Sequence, residues 1–300
     1  MGFHKHTSKK QYSENKSRTV KLPRPSILFA QNFLKDPNVV ASLVSQAGIS
    51  KDDIVYEIGP GHGIITLELS KVASKVIAIE VERHLYNQLK TKFSGINNLE
   101  LINIDFLQFE LPSLDYKVFS NIPFNITAKV IRKLLYAYHP PVKTFLILQR
   151  EAAEKYAGIL RGSLASILLK PWFTFDILHN FERTDFDPVP NVEVVLLGIE
   201  KRLYPLVSSE ESVLYKQFVN YGFSRWRSNL GKNYKKVFSH SQWKRLSKDL
   251  NFDIHAQPTD LTFDQWYGIF QFFLVAIRKG QATLPDDLKL VNLPEIAMFL

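Results

Sequence analysis

The stretch that decides the fold is IVYEIGPGHG, residues 54–63. Its apolar first half predicts a short buried strand, and the glycine-rich second half leads into a helical pattern over roughly residues 64–72. Glycines at a strand–helix turn let the backbone approach a ligand closely, although the same pattern also fits a plain tight turn. The loop lacks the Lys-Ser/Thr pair of a phosphate-cradling loop, which argues against ATP or GTP as the ligand.

Strand-like runs alternate with helical patterns on both sides of this stretch. The helical patterns include one that begins at Asp36-Pro37, where Asp caps the helix and Pro takes its first position. Strands that are separated by helices pair in parallel through right-handed crossovers. The sequence therefore predicts an α/β fold over residues 27–204, a doubly wound, mostly parallel, Rossmann-like sheet. The predicted strands are residues 54–58, 76–80, 99–104, 117–120, 145–148, 172–178 and 192–199.

Three further segments complete the predicted organisation. Residues 205–278 have helical spacing and no strand alternation, which predicts a small C-terminal all-helical domain. Residues 1–26 are basic and have almost no apolar residues, which predicts a disordered arm. Residues 279–300 form a C-terminal tail without an assigned structure.

Composition narrows the class of protein further. The 300 residues include no cysteine, which excludes a disulfide scaffold, a thiol nucleophile and any cysteine metal site. No stretch free of charged residues reaches the roughly 18 residues that span a bilayer, and the polar start does not resemble a secretory signal. We therefore expect a soluble, cytoplasmic protein with no membrane partner.

Positive charge is concentrated at two places in this chain of net charge +9. The arm has seven Lys or Arg residues and one acid, and residues 201–248 have eleven and two. Basic segments beside a near-neutral middle suggest a nucleic-acid partner, with a solvated surface as the alternative. The candidate RNA-binding residues are Lys9, Lys10 and Arg18 in the arm and Arg225, Arg227, Lys232, Lys235 and Lys236 in the helical segment.

Acidic residues end two of the predicted strands. Glu80 stands 21 residues after Gly59, close to the spacing of a ribose-binding acid in nucleotide-binding α/β domains. Asp105 ends the third strand, where its carboxylate could accept a hydrogen bond from an adenine amino group or cap the following turn.

The tetrapeptide Asn121-Ile122-Pro123-Phe124 follows the fourth strand at the same edge of the sheet. The Asn121 side-chain oxygen and a backbone carbonyl can hold the two N–H groups of an adenine amine, which favours a tetrahedral nitrogen whose lone pair points at an incoming methyl. Phe124 offers a face on which an extruded base can stack. Alone, the tetrapeptide also fits a simple Asn-Pro turn with a core Phe.

Together with two further segments, these motifs resemble a known family. The segments are QNFL, residues 31–34, and FDPVPNV, residues 186–192. Their order is that of the S-adenosylmethionine-dependent rRNA adenine N6-methyltransferases, and the chain looks most like the Erm group. That group modifies an adenine in 23S rRNA and confers macrolide–lincosamide–streptogramin B resistance. The basic arm and Ile122 favour Erm over the 16S rRNA dimethyladenosine transferases.

The resemblance implies a role for each matching residue. It implies that 23S rRNA is the partner, S-adenosylmethionine the cofactor, and in-line transfer from a sulfonium the reaction, with no metal and no strong general base. Asn121 and Ile122 would lie at the reacting amine, Phe124 would stack on the target base, and Phe186 would close its other face. Asn191 stands where family members often have Lys. The implied cofactor-binding residues are Asn32, Leu34, Gly59, Glu80, Asp105 and Asn121.

Three alternatives remain open at this stage. A 16S rRNA adenine dimethyltransferase would share every catalytic residue. A DNA adenine methyltransferase would share residues 121–124, but the chain has no evident sequence-reading domain. A non-catalytic nucleic-acid-binding protein on this fold would be expected to lack the cofactor residues, which are present here. We expect a monomer, and the number of methyl groups added stays open.

Overall fold

The computed structural model describes residues 1–2, 32–159, 161–224 and 228–282. Within these ranges the chain forms nine β-strands and ten α-helices. The strands are β1 (Phe33–Leu34), β2 (Ile54–Ile58), β3 (Lys75–Glu80), β4 (Leu99–Asn103), β5 (Lys117–Asn121), β6 (Lys143–Gln149), β7 (Phe173–Asn180), β8 (Phe186–Asp187) and β9 (Val194–Lys201). The helices are α1 (Pro37–Gln46), α2 (Ile64–Val72), α3 (Arg83–Lys92), α4 (Thr127–Leu135), α5 (Arg150–Ala157), α6 (Leu164–Leu169), α7 (Ser212–Phe223), α8 (Leu230–Asn233), α9 (His240–Asp249) and α10 (Phe263–Arg278).

Seven strands form one sheet in the order β4-β3-β2-β5-β6-β9-β7. The first five are parallel, whereas β9 runs antiparallel to both β6 and β7. The prediction of a doubly wound, mostly parallel fold with a helical C-terminal region is confirmed. The expectation of parallel pairing is wrong for β9, because no α-helix separates it from β7 and the chain turns back at the same edge of the sheet.

Strand alternation divides the apolar side chains between the two faces of the sheet. Phe119 of β5 packs with α1 and α2 on one face, and Val118 packs with α4 on the other. Helix α1 begins as predicted, since the Asp36 side chain accepts a hydrogen bond from the Asn38 amide and Pro37 takes the first helical position.

A separate aromatic core holds the helical region together. The ring of Phe218 in α7 stacks on Tyr234 and on Phe273 of α10, with ring centroids 4.6 and 4.7 Å apart. The hydroxyl of Tyr215 donates to the backbone oxygen of Ile167 in α6, so this core rests directly on the α/β region. These separate cores support the predicted division near residue 205, which stays a proposal.

Candidate functional site

Three neighbouring strands bring the candidate residues to one edge of the sheet. Strands β3, β2 and β5 are adjacent and parallel, so their carboxyl ends lie side by side. Glu80 ends β3, Gly59 follows β2, and Asn121 ends β5. In doubly wound sheets, ligands bind in the crevice at these ends, where the strand order reverses. Here the reversal falls between β2 and β5, beside a cavity that Gly59 and Asn121 both line.

The glycine loop has a conformation that side chains rarely adopt. Gly59, Gly61 and Gly63 have φ values of 65°, 57° and 79°, in the left-handed region that glycine tolerates best. A Cβ atom on Gly61 would also lie 2.5 Å from a ring carbon of Phe33. Both the turn and the close approach of Phe33 therefore require glycine at position 61.

Glu80 is fully buried beneath this loop. Its carboxylate accepts hydrogen bonds from the backbone amides of Gly61, at 3.3 Å, and Glu82, at 2.8 Å. Burial raises the pKa of Glu80, and these two amides act in the opposite direction. In this conformation Glu80 fixes the loop, and its predicted contact with a ribose stays a proposal.

Glu57 is a second buried carboxyl group, and the sequence did not single it out as functional. It lines the cavity, is 1% exposed, and its Oε2 atom has no hydrogen-bond partner among the described residues. Burial raises the pKa of Glu57 to about 8, and the charge of Glu80 acts in the same direction. The available signal was its position, one residue before Ile58 at the end of an otherwise apolar strand.

Asn121 is held by a chain of two hydrogen bonds. Its side-chain nitrogen donates to the backbone oxygen of Asn32 at 2.7 Å. The side-chain nitrogen of Asn32 in turn donates to the backbone oxygen of Pro188 at 2.6 Å. Since one N–H of the Asn121 amide is bonded to the Asn32 backbone, the amide is oriented, and its oxygen is the atom that can accept a hydrogen bond from a ligand.

The short strands β1 and β8 supply the scaffold for this chain of bonds. They pair antiparallel, with Leu34 opposite Phe186, so the segments that contain Asn32 and Pro188 meet. Side-chain alternation sends Leu34 and Phe186 into the core and leaves Phe33 and Asp187 on the other side. Leu34 still reaches the cavity wall.

This alternation corrects the role expected for Phe186. Its side chain is only 1% exposed and packs edge-to-face on Phe181, with ring centroids 5.3 Å apart. A buried ring has no free face for a base, so in this structure Phe186 supports the β1–β8 pair instead. Phe124 is half-buried and lines the cavity together with the buried Ile122, and their predicted roles stay proposals.

Phe33 and His62 lie beside the glycine loop and were not predicted as site residues. Their rings are 4.4 Å apart, and both line the cavity. Phe33, which stands between Asn32 and Leu34 in the sequence, thus covers the glycine loop. The available sequence signal was the position of Phe33 between two predicted cofactor-binding residues, Asn32 and Leu34.

The remaining predicted residues lie away from this cavity or outside the described residues. Asp105 caps the turn after β4, where its Oδ1 atom accepts a hydrogen bond from the Leu107 amide at 2.9 Å, and its contact with an adenine stays a proposal. Lys232, Lys235 and Lys236 are exposed at α8 and the following turn. Outside the described residues lie Lys9, Lys10, Arg18, Arg225 and Arg227.

The sheet order, with one antiparallel strand near its edge and a glycine loop at the reversal point, defines a Rossmann-like methyltransferase. The chain belongs to the ribosomal RNA adenine dimethylase family, whose sequence profile matches residues 25–274. It is therefore an rRNA adenine N6-methyltransferase, and the reading as a non-catalytic binding protein is set aside.

Individual relatives fall into two groups by name. A ribosomal RNA small subunit methyltransferase A of Acaryochloris marina is 29% identical over 83% of this chain and 97% of its own. An rRNA adenine N-6-methyltransferase of Bacteroides fragilis is 28% identical over 80% of this chain and 90% of its own. Among solved structures, the 23S rRNA methyltransferase ErmE is 26% identical with a TM-score of 0.75, covering 80% of this chain and 98% of that one.

Across the described residues, no helix is both long and apolar enough to cross a bilayer.

Proposed function

We propose that this enzyme transfers methyl groups from S-adenosylmethionine to N6 of an adenine in 23S rRNA and so confers macrolide–lincosamide–streptogramin B resistance. The observation that supports it is the orientation of Asn121: its side-chain nitrogen is bonded to the Asn32 backbone, so its oxygen can accept a hydrogen bond from an amine at the cavity that Phe124 also lines. The likeness to ErmE and the sequence features typical of the Erm group favour 23S rRNA as the substrate.

The chemistry of the lining residues fits the proposed cofactor, while the cavity itself has a volume of only about 30 Å³ in this conformation. S-adenosylmethionine is cationic at its sulfonium and ammonium groups, and the cavity wall contains the buried Oε2 atom of Glu57, which has no hydrogen-bond partner among the described residues. The glycine loop exposes backbone without side chains at the same wall. Asn32, Leu34, Gly59, Glu80, Asp105 and Asn121 would hold the cofactor. When bound, it supplies an electrophilic methyl group on a sulfonium, whose departure leaves a neutral thioether.

The residues of this chain would then act on the adenine. The Asn121 oxygen would accept one N–H of the amine, and the backbone oxygen of Ile122 would accept the other. This arrangement withdraws the nitrogen lone pair from the ring and directs it toward the methyl donor. Stacking on Phe124 would hold the extruded base, which costs a few kcal/mol to remove from its helix. Positioning of this kind can supply roughly 7–11 kcal/mol of a reaction barrier.

The basic segments would bind rRNA phosphates. Lys232, Lys235 and Lys236 form an exposed basic group in the helical region. The basic arm and residues 225–227 would add to it. Phosphate contacts position an RNA without reading its sequence, so this surface would orient the substrate rather than select the adenine. We expect the enzyme to act as a monomer in the cytoplasm, where its rRNA substrate is made.

A 16S rRNA adenine dimethyltransferase is the second candidate. The observation in its favour is the match to the small subunit methyltransferase A of Acaryochloris marina, which extends over 97% of that protein. The site residues do not separate the two substrates, because both reactions place an adenine amine between the same acceptors.

Mass spectrometry of rRNA fragments separates the two candidates. We would digest 23S and 16S rRNA from cells with and without the protein and compare methylated adenosines. New N6-methyl or N6-dimethyl adenosine confined to 23S rRNA is expected. New modification confined to 16S rRNA would establish the second candidate.

A further inference from the structure

A cleft at the opposite edge of the sheet, away from the candidate site, has no role in the site described above. It lies where α4 leads to β6, where β7 begins and where β9 ends, so it is at the amino ends of the parallel strands. The register aligns Lys143 with Glu200 at this edge and Asn121 with Ile147 toward the other. At about 3.3 Å per residue, Lys143 and Ile147 of β6 are roughly 13 Å apart along the strand.

The cleft contains a half-buried cation without an anionic partner. The ammonium of Lys216 in α7 lies over the ring of Trp172, 5.5 Å from its centroid. Among the described residues, no carboxylate lies within ion-pair distance of it. Burial lowers the pKa of Lys216, with no acid acting against it. A desolvated ammonium in this position favours a ligand that brings a negative charge.

No acidic residue in the described part of the chain lines the cleft. Of the acids nearest to Lys216 in sequence, Glu211 pairs with Arg278, and Glu210 is exposed outside the cleft. Arg202 adds a second cation to the cleft, and its Nε atom donates to the backbone oxygen of Lys170 at 3.0 Å, which fixes the guanidinium at the wall. The cleft is therefore electropositive and has a volume of about 360 Å³, within the range of small-molecule sites.

Exposed aromatic rings border the same cleft. Tyr138 lines it and is 86% exposed, and Tyr204, between the lining residues Arg202 and Pro205, is 82% exposed. Phenol rings this exposed are not part of the core. Cations in a groove flanked by aromatic faces are the combination that binds single-stranded nucleic acid, since phosphates meet the cations and bases stack on the rings.

We propose that this cleft binds a nucleotide of a single-stranded segment of the rRNA substrate, with its phosphate at Lys216 and Arg202 and bases stacked on Tyr138 and Tyr204. The inference rests on the proposed function, because it assumes an RNA substrate. It adds an RNA contact on the edge of the sheet opposite the methylated adenine, so the RNA would pass around the α/β region. Two rings on the rim favour a strand over a single nucleotide.

The test measures binding of a single-stranded RNA decamer to four forms of the full chain. These are the wild type, Lys216→Met, the pair Tyr138→Ala with Tyr204→Ala, and the control Lys75→Met. Met keeps an apolar stem over Trp172 but removes the charge. Lys75 is at the same edge of the sheet, four strands from β9, and pairs with Glu100 across an exposed surface. Its replacement changes the net charge by the same amount.

We expect about a thirtyfold or greater loss of decamer affinity in the tyrosine double variant, as for two lost base-stacking contacts. Lys216→Met should weaken binding and flatten the salt dependence by a slope of about 0.7. The proposal would be overturned if Lys216→Met and the tyrosine double variant both bound the decamer as tightly as the control Lys75→Met does. Displacement of the decamer by an equal concentration of adenosine monophosphate would also overturn it, because it would show a mononucleotide site.

The proposed function is tested separately on the same preparations. Wild-type protein that methylates neither 23S nor 16S rRNA would contradict that function. The decamer comparison would still decide the cleft, because it requires no methyl transfer.

Discussion

The side-chain nitrogen of Asn121 donates to the backbone oxygen of Asn32, which joins the end of β5 to the residue before β1 across 2.7 Å. The bond determines which end of the Asn121 amide faces the cavity. An amide oxygen presented to an amine is an acceptor, so Asn121 suits an adenine amino group better than a carbonyl.

Asn121→Ala should lower methyl transfer about a hundredfold or more, the size of effect seen when one preorganised polar contact to a reacting group is removed. Cofactor affinity should change far less, because the main contact of Asn121 would be with the amine. Single-turnover rates and calorimetric titration with S-adenosylmethionine measure the two effects. Asn125→Ala, an exposed neighbour, is the matched control. Equal losses of rate and cofactor affinity would assign Asn121 to the cofactor instead.

Phe124→Ala should lose much of the activity and Phe124→Tyr should keep most of it. Base stacking on an aromatic face is worth roughly 1–3 kcal/mol, and Tyr retains the ring. The measurement is kcat/KM on rRNA for both variants. A wild-type value for Phe124→Ala would show that no base stacks there.

Because the carboxyl group of Glu57 is buried, we expect the free energy of unfolding to depend on pH. Its pKa is about 8 in the folded protein and near 4.5 when exposed, so the folded state binds the extra proton. The contribution of Glu57 is therefore greatest below pH 4.5 and is lost as the pH rises to 8, at up to about 1.4 kcal/mol per pH unit. Urea unfolding between pH 5 and 9 should show this decline in the wild type and a flatter profile in Glu57→Gln. The exposed Glu110→Gln is the control, and parallel profiles for wild type and Glu57→Gln would refute a neutral, buried Glu57.

Gly61→Ala should lower the stability of the folded protein through two separate effects. The left-handed backbone costs a side chain about 1–2 kcal/mol, and the new methyl group would press on Phe33. Adding Phe33→Ala should relieve the second effect only, so the double variant should recover part of the lost stability. Thermal unfolding of the two single variants and the double variant measures this coupling. Gly95→Ala, where nothing lies within 4 Å of the added carbon, is the control; strict additivity would show that Phe33 does not press on the loop.

Local patterns predicted the strand ends but not the contacts between distant segments. Glu80, Gly59 and Asn121 were found because parallel strands with crossovers end at one edge of a sheet. The bond from Asn32 to Pro188 joins residues 156 positions apart, and no local pattern encodes it. The burial of Phe186 depends on the same pairing of β1 with β8. The two-residue strands β1 and β8 are too short to show an alternating pattern. The sequence therefore revealed the segment that contains Phe186 but not the direction of its side chain.

The central claim is that the enzyme methylates adenine N6 in 23S rRNA. Its most direct test is transfer of a labelled methyl group from S-adenosylmethionine to purified 23S and 16S rRNA in separate reactions, with wild type and Asn121→Ala. We predict N6-methylated adenosine in 23S rRNA with the wild type and almost none with Asn121→Ala. Label confined to 16S rRNA, or equal labelling by both proteins, would contradict the account.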